Sequence, residues 1–307
     1  MSRPITIVEV GPRDGLQNEK AILEPAVRAE LVHRLEAAGA RRIEAVSFVH
    51  PKYVPQMAGA EEVMAALPHI AGRSRIGLVL NGKGYDRALG TAADEVNVAM
   101  SATDGFGLKN QGLSVDQQVQ MLADIIAGRA NAEGAPGATP SLSATLSCVW
   151  GCPFDGEVSV EQVADLVGRI AELGVAEIAL ADTIGAGDPW AVRKKVEAAR
   201  AAAPDAVLRL HFHDTRNTGL ANAFAGIEAG VSVLDASVGG IGGCPFAPGA
   251  TGNIATEDLV YMLERAGYST GHDLDALINT ARWIGEKIGR PAPSALSRAG
   301  GWPPHRN

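Results

Sequence analysis

The sequence predicts an α/β chain folded as a (β/α)8 TIM barrel with a small C-terminal helical extension. Short runs rich in Val, Ile and Leu alternate with segments of helical pattern, which is typical of a parallel sheet built from β-α units. Eight such units fit in the 307 residues, and barrels often occupy this length as one domain. We therefore favour a closed barrel over an open doubly wound sheet.

The strand predictions are the eight apolar runs, each bounded by Gly, Asp or Asn. They cover residues 5–10, 43–48, 76–80, 95–100, 141–149, 177–180, 207–212 and 232–236. The helix predictions between and after them cover residues 25–38, 60–67, 85–89, 115–129, 160–173, 189–202, 219–229 and 256–265. Ser159 with Gln162, and Asp188 before Pro189, are start signals for two of these helices.

The chain is expected to divide into a catalytic barrel over residues 1–266 and a C-terminal lobe over residues 267–307. The lobe has a helical pattern around residues 274–288 and then a Pro-rich end. No stretch with the composition of a linker separates the β-α units, and the Gly/Ala/Pro segment 131–140 is short enough to be a loop.

Composition excludes several classes of partner. The formal net charge is −8, which gives no electrostatic reason to expect nucleic acid or an anionic membrane. The chain has three cysteines, Cys148, Cys152 and Cys244. Three is too few for a disulfide framework, and an odd number cannot pair completely. No run reaches the roughly 18 apolar residues of a membrane span. We expect a cytoplasmic protein, although a processed organellar enzyme would have the same features.

Polar residues at the predicted strand ends form a candidate metal site. In such a barrel the chemistry lies where the strands run into the following loops. His211 and His213 are two residues apart on the seventh strand, so both side chains can point into the barrel mouth. A His-x-His pattern alone is equally well explained by a metal site and by histidines that hydrogen-bond to backbone carbonyls. Asp14, after the neighbouring first strand, supplies a third ligand and favours a divalent metal.

Other strand ends carry candidates for catalysis. Arg13 lies beside Asp14 in a turn shaped by glycines and a proline, where it can stabilise an oxyanion or enolate. Cys244 lies in a glycine-rich loop after the eighth strand, which suggests a lid. Glu44 is predicted to contact either Arg13 or a metal-bound water. Asp182 is equally well explained as a helix cap or as a catalytic group.

Six segments around these residues carry a family resemblance. They are "VEVGPRDGLQNE" (8–19), "IEAVSFV" (43–49), "VPQM" (54–57), "ADTIG" (181–185), "HFHDT" (211–215) and "GGCPFAPGATGNIATEDLVYML" (242–263). In these segments, which run in the family's order, the chain resembles the 3-hydroxy-3-methylglutaryl-CoA lyase family of metallolyase barrels.

The resemblance implies both a ligand set and a reaction. It implies Mg²⁺ or Mn²⁺ held by Asp14, His211, His213 and Asn253, although Asn253 could also be an ordinary turn residue. It implies an acyl-CoA substrate, cleavage of 3-hydroxy-3-methylglutaryl-CoA into acetyl-CoA and acetoacetate, and a homodimer. The candidate catalytic residues are Arg13, Cys244, Asp182, Glu44 and His211. The candidate substrate-binding residues are Arg13, Gln17, Ser47 and Asn81.

The residues fit this chemistry without deciding every step. His211 or Asp182 could take the proton of the tertiary hydroxyl, Arg13 could neutralise the enolate, and Cys244 could protonate its carbon. Lys83, Lys109 and the C-terminal lobe are candidates for binding the CoA phosphates.

Two departures from the family pattern leave the acyl substrate open. The family usually has Tyr-Gly-Gln where this chain has Arg216-Asn217-Thr218. Near the third strand the family typically has Pro-Asn-Leu-Lys-Gly, where this chain has Leu-Asn-Gly-Lys-Gly at residues 80–84. A related 3-hydroxyacyl-CoA with another substituent is therefore an alternative. A second alternative is a condensing synthase of the same superfamily. Such synthases lack the Gly-Gly-Cys-Pro loop that this chain has at residues 242–245, so the loop favours the lyase. A silent acyl-CoA-binding barrel would not need the set of polar residues.

Overall fold

The structure is a closed barrel of eight parallel strands, which confirms the predicted fold class. It is a computed structural model that describes residues 3–132, 139–243 and 252–302. The strands pair in chain order, and β8 pairs with β1 to close the barrel. They are β1 Thr6–Glu9, β2 Arg42–Ser47, β3 Ser74–Val79, β4 Glu95–Ser101, β5 Ser141–Ser147, β6 Glu177–Asp182, β7 Val207–Phe212 and β8 Val233–Ala236.

Helices follow the strands and cover the outside of the barrel. They are α1 Pro25–Ala37, α2 Ala60–Ala65, α3 Gly82–Leu89, α4 Asp104–Asn110, α5 Val115–Ala132, α6 Val160–Glu172, α7 Pro189–Ala202, α8 Gly219–Glu228, α9 Thr256–Arg265, α10 Leu274–Ile288 and α11 Ala295–Ala299. Shorter helical turns span Gly11–Gly15, Pro55–Met57 and Val238–Gly240. The main apolar core lies between the strands and these helices.

The strand ends differ from the predictions for local reasons. β5 ends at Ser147, two residues before the predicted end, because Cys148 has a left-handed backbone with φ of 61°. β6 continues to Asp182, so this carboxyl group belongs to the strand itself. The predicted tight turn around Arg13 and Asp14 is wrong, because residues Gly11–Gly15 form a π-helical turn.

Every predicted helix is present, but the first and last residues of several helices differ from the predictions. The start signals are confirmed, since the Ser159 hydroxyl accepts from the Gln162 amide and the Asp188 carboxylate accepts from two amides of α7. α3 begins three residues before the predicted start because the Asn81 side chain caps it. α4 was missed, since "DGFGLKN" has two glycines and no helical period; the Thr103 side chain caps it. The short helix α11 was also missed.

Charged side chains occupy much of the barrel interior. Arg42 on β2 donates to Glu177 on β6 at 2.9 Å, and these strands are not neighbours, so the contact crosses the barrel. A small apolar cluster of Val8, Val10, Ile76 and Val233 is separate from the main core. The interior is therefore polar beneath the barrel mouth, unlike the layers of branched apolar residues common in such barrels.

The chain after α9 packs on the barrel's first helix. α10 contacts α1 and α9, and the guanidinium of Arg34 on α1 lies 4.6 Å from the Trp283 ring centroid. The division at residue 267 stays a prediction. Among the described residues, no helix is both long and apolar enough to cross a membrane.

Candidate active site

Three predicted metal ligands meet at the carboxyl end of the barrel. His211 lies in β7 and His213 directly follows it, and both imidazoles are buried with ring centroids 5.1 Å apart. Asp14 reaches them from the turn after β1, with its Oδ2 atom 4.0 Å from Nε2 of His211 and 3.8 Å from Nε2 of His213. One ligand atom from each residue lies within 4.8 Å of the others.

Asn253 also joins this cluster, but it does so through its amide nitrogen. Nδ2 donates to Oδ2 of Asp14 at 2.8 Å and to the carbonyl of Ile241 at 3.1 Å. Oδ1 is buried and has no hydrogen-bond partner. Coordination of a metal by Asn253 requires the amide to turn over so that Oδ1 faces Asp14. The orphaned oxygen shows that one ligand atom is available for this change.

The donor set fits a divalent cation. One carboxylate, two imidazoles and one amide oxygen suit Mn²⁺, Fe²⁺, Co²⁺ or Zn²⁺, and the oxygen ligands also suit Mg²⁺. Nδ1 of His213, like Oδ1 of Asn253, is buried without a hydrogen-bond partner. Asp14, His211, His213 and Asn253 are therefore the residues that would hold the ion.

Asp235 is a functional residue that the sequence reasoning missed. Its Oδ2 atom lies 3.1 Å from Nδ1 of His211, and both side chains are buried. A carboxylate in this position holds the proton on Nδ1, so that Nε2 can face a metal. The only signal in the sequence is an acid inside the apolar run "VSVLDASV".

Arg13 is held by two carboxylates at the edge of the cluster. Its Nη1 donates to Oδ1 of Asp14 at 2.7 Å, and its Nε donates to Oε1 of Glu44. The second oxygen of Glu44 accepts from Nδ2 of Asn97 on β4 at 3.0 Å. Contact with Arg13, one of the two roles predicted for Glu44, is present. Asn97 was missed because its partner lies on another strand.

The charges of the cluster shift two of its pKa values in opposite directions. Burial raises the pKa of Asp14, but Arg13, His213 and His211 together hold it well below its usual range. Burial lowers the pKa of His211, but its hydrogen bond to Asp235 and the charge of Asp14 raise it overall. Asp14 is therefore ionised and can bind a cation. Protonation of His211 would compete with binding of the cation.

Asp182 does not cap a helix, so that alternative is wrong. Asp188 caps α7 instead. Asp182 is fully buried, and its oxygens accept from the backbone amides of Ala186 and Gly187 at 2.8 Å. Burial raises the pKa of this carboxyl group. The structure gives Asp182 a role in holding the loop after β6, and its catalytic role stays a prediction.

The remaining predicted site residues lie in varied surroundings. Ser47 is buried and its hydroxyl accepts from the Val49 amide at 3.3 Å, whereas Asn81 is exposed and caps α3. Gln17 is partly exposed beyond the Gly11–Gly15 turn. Their substrate-binding roles stay predictions. Cys244 and residues 245–251 of its loop lie outside the described residues.

Arg216, where the chain departs from the family pattern, joins two loops. Its Nη1 donates to the carbonyls of Ile184 and Gly185 at 2.9 and 2.6 Å. The Thr218 hydroxyl donates to the Gly187 carbonyl at 3.1 Å. These bonds hold the loop after β6 against the loop after β7. The departure therefore lies where these two loops are held together, and these hydrogen bonds do not involve the metal cluster.

Glu9 joins three segments beneath the cluster, and the sequence reasoning missed it. Its Oε1 accepts from the amides of Gly11 and Val238 at 2.7 and 3.0 Å, and its Oε2 accepts from the Thr256 hydroxyl at 2.7 Å. Gly11 begins the turn that carries Asp14, while Val238 and Thr256 flank the glycine-rich loop. Burial raises the pKa of Glu9 to about 7, although its three hydrogen bonds lower it.

A closed eight-stranded barrel that gathers ionisable groups at its carboxyl end defines the class of (β/α)8 enzymes. Within that class the chain belongs to the HMGL-like family, whose model matches residues 4–284. A hydroxymethylglutaryl-CoA lyase of Pseudomonas mevalonii is 42% identical over 296 residues, covering 96% of this chain and 95% of the relative. These matches confirm the resemblance seen in the sequence, together with the enzyme class, a carbon–carbon lyase.

Two further relatives are similar to this chain over nearly its whole length. An (R)-citramalyl-CoA lyase of Chloroflexus aurantiacus is 41% identical over 307 residues, covering 96% of this chain and 95% of the relative. The structure of an HMG-CoA lyase from Acinetobacter baumannii, in complex with coenzyme A and 3-methylmalate, has a TM-score of 0.92 and 37% identity. It covers 99% of this chain, and this chain covers 97% of it.

Proposed function

We propose that this protein cleaves 3-hydroxy-3-methylglutaryl-CoA into acetyl-CoA and acetoacetate with the help of a divalent cation, Mg²⁺ or Mn²⁺. The observation that carries the proposal is the cluster of Asp14, His211 and His213 beside Arg13. The relatives named as hydroxymethylglutaryl-CoA lyases support the same substrate.

The reaction breaks the bond between C2 and C3 of the acyl chain. The tertiary hydroxyl loses its proton and becomes the ketone of acetoacetate, while the bonding electrons pass to the thioester as an enolate. A cation held by Asp14, His211, His213 and Asn253 would acidify the hydroxyl and orient the free carboxylate when bound. Protonation of the enolate carbon then gives acetyl-CoA, so atoms and charge balance.

In this proposal Arg13 stabilises the enolate. Asp14 and Glu44 hold its guanidinium from two sides, so little reorganisation is needed when negative charge develops. Of the two candidates for the hydroxyl proton, Asp182 takes it in this proposal, because Asp235 engages Nδ1 of His211 and the cation would engage Nε2. Cys244 returns a proton to the carbon. Each of these transfers is part of the proposal.

The C-terminal segment supplies a place for the CoA phosphates. A cavity of about 410 Å³ is lined by Arg282, Arg290 and Arg298 between α10 and α11. Arg290 also pairs with Glu19, and its Nε lies 3.2 Å from Oε2 of that residue. Glu19 closely follows the turn that carries Asp14, so this ion pair links the lining of the cavity to the segment after that turn. Guanidinium groups suit phosphate recognition. Lys83 and Lys109 are exposed alternatives.

The second candidate is a lyase acting on a related 3-hydroxyacyl-CoA. The citramalyl-CoA lyase relative and the bracing by Arg216 favour it. Measuring kcat/KM for 3-hydroxy-3-methylglutaryl-CoA and for (R)-citramalyl-CoA decides between the two. A higher value for the first supports the proposal, and turnover of citramalyl-CoA alone would overturn it.

The same preparation tests the remaining alternatives. A condensing synthase would consume acetyl-CoA with a 2-oxo acid, and a silent barrel would turn over neither ester and need not hold stoichiometric metal. The proposed homodimer is tested by the mass of the protein in solution.

A further inference from the structure

Arg209 lies directly beneath the metal cluster and has no role in the mechanism described above. It precedes His211 by two residues on β7, so both side chains point into the barrel. Its side chain is 1% exposed. A buried guanidinium without a full set of partners is costly, so its contacts indicate what keeps it there.

Arg209 contacts acidic or hydroxyl groups from three other strands. Its Nε lies 3.4 Å from Oδ1 of Asp235 on β8, and its Nη1 lies 3.4 Å from Oε1 of Glu177 on β6. Its Nη2 donates to the Thr145 hydroxyl on β5 at 3.4 Å. The guanidinium therefore spans the barrel interior, with one hydrogen bond to Thr145 and two charge contacts in which Nε and Nη1 make no hydrogen bond.

The two oxygens of Asp235 are divided between Arg209 and the metal cluster. Oδ1 faces Arg209, and Oδ2 lies 3.1 Å from Nδ1 of His211. Oδ1 has no hydrogen bond of its own, so the cation of Arg209 is what holds that end of the carboxylate. Without Arg209 the carboxylate could rotate about its terminal torsion, which is broad and roughly two-fold.

We propose that Arg209 is a positioning residue for the metal centre. It holds the Asp235 carboxylate in the orientation that receives Nδ1–H of His211, and this leaves Nε2 of His211 facing Asp14. The inference rests on the proposed function only in requiring that a divalent cation binds at Asp14, His211 and His213.

A purely structural role for Arg209 would lower stability without changing metal binding, and Arg75 is a matched control for that case. Arg75 is also a buried arginine, 2% exposed, and it pairs with Glu36 through its Nε and Nη2. Its partner lies on α1, away from Asp235. Loss of either arginine removes a cationic partner of a buried carboxylate but leaves it another partner, since Glu36 keeps Arg73 and Asp235 keeps His211. Both losses should cost stability, but only loss of Arg209 should affect the cluster.

The test is calorimetric Mn²⁺ binding to the substrate-free protein and its variants. Arg209→Met should weaken Mn²⁺ binding about tenfold, the lower end of the effect of such supporting groups. Arg209→Lys should restore part of the affinity, since it keeps the charge but not the planar fork. Asp235→Asn should weaken binding at least as much as Arg209→Met, and Arg75→Met should leave the affinity unchanged.

A second readout is the tautomer of His211, measured by ¹⁵N NMR of labelled histidine at mildly alkaline pH. The wild type should carry the proton on Nδ1, and Arg209→Met should give a mixture of tautomers. Wild-type affinity and tautomer in folded Arg209→Met would overturn the inference. If that variant does not fold, Arg209→Gln takes its place with the same expected loss. Absence of Mn²⁺ binding to the wild type would instead overturn the proposed function.

Discussion

Asn253 donates through Nδ2 to Oδ2 of Asp14 at 2.8 Å, although 239 positions of the chain separate the two residues. The pairing of β8 with β1 brings them together, because each follows one of these two strands. The hydrogen bond links the end of the glycine-rich loop to the turn that carries Arg13 and Asp14. The Asn253 amide is therefore one direct link between a predicted metal ligand and the end of that loop.

Replacing Arg13 with lysine should lower kcat about 100-fold and change KM little. Lysine keeps the positive charge but cannot contact Asp14 and Glu44 while facing an enolate, and loss of one preorganised oxyanion donor has an effect of this size. Steady-state kinetics with the metal-loaded protein measure it. The control is Arg169→Lys, a partly exposed arginine outside the site that pairs with Asp116. An equal loss in both variants would contradict the assigned role.

Cys244→Ala should lower kcat far more than it changes KM, since the thiol is proposed to protonate the enolate carbon rather than to bind substrate. Kinetics of the variant check this, with Cys152→Ala as control. Cys152 is buried and accepts a hydrogen bond from the Thr103 hydroxyl, so its loss should affect stability more than turnover. Near-normal kcat in Cys244→Ala would remove this residue from the mechanism.

Glu9→Gln should stabilise the protein more at pH 8 than at pH 5. The pKa of Glu9 is raised from 4.5 to about 7 in the folded state, so between these values the unfolded chain loses the proton first. The wild-type free energy of unfolding therefore falls as the pH rises, by about 2 to 3 kcal/mol from this group. Glutamine can accept from both amides and donate to Thr256 without this titration.

Urea unfolding of both proteins at the two pH values measures the difference between them. The comparison with the variant cancels the titration of other groups. A difference between wild type and variant that does not change with pH would show that Glu9 titrates normally in the folded protein.

Arg298→Ala should raise KM for the CoA thioester about tenfold and leave kcat unchanged, because a charge-assisted hydrogen bond to phosphate is lost. Arg265→Ala on the exposed side of α9 is the control. The corresponding pantetheine thioester lacks the nucleotide phosphates, so its KM should be the same for both variants and the wild type. An unchanged KM for the CoA thioester in Arg298→Ala would place the nucleotide elsewhere.

The fold and the clustering of Asp14, His211 and His213 could be predicted from strand patterns and barrel closure. Alternating apolar runs and helices specify the β-α units, and strand alternation places His211 and His213 on one side. The position of Asp14 follows from barrel closure, since the first and last strands become neighbours. These features need no knowledge of which side chains meet.

The supporting residues could not be predicted, because their partners are set by the three-dimensional register. Asp235 and Arg209 interrupt apolar runs, but only the pairing of β7 with β8 shows that they contact His211 and each other. Glu9 resembles any acid near a strand end until Val238 and Thr256 are seen beside it. The orientation of the Asn253 amide likewise depends on contacts that no local pattern contains.

The measurement that tests the central claim most directly is product formation from 3-hydroxy-3-methylglutaryl-CoA by the metal-loaded protein. We predict equal amounts of acetoacetate and acetyl-CoA, loss of both when a chelator removes the cation, and recovery when Mg²⁺ or Mn²⁺ is returned. Asp14→Asn should show the same loss without chelator. A folded, metal-loaded protein that forms no acetoacetate would contradict the account. So would a turnover rate that does not change when the chelator is added.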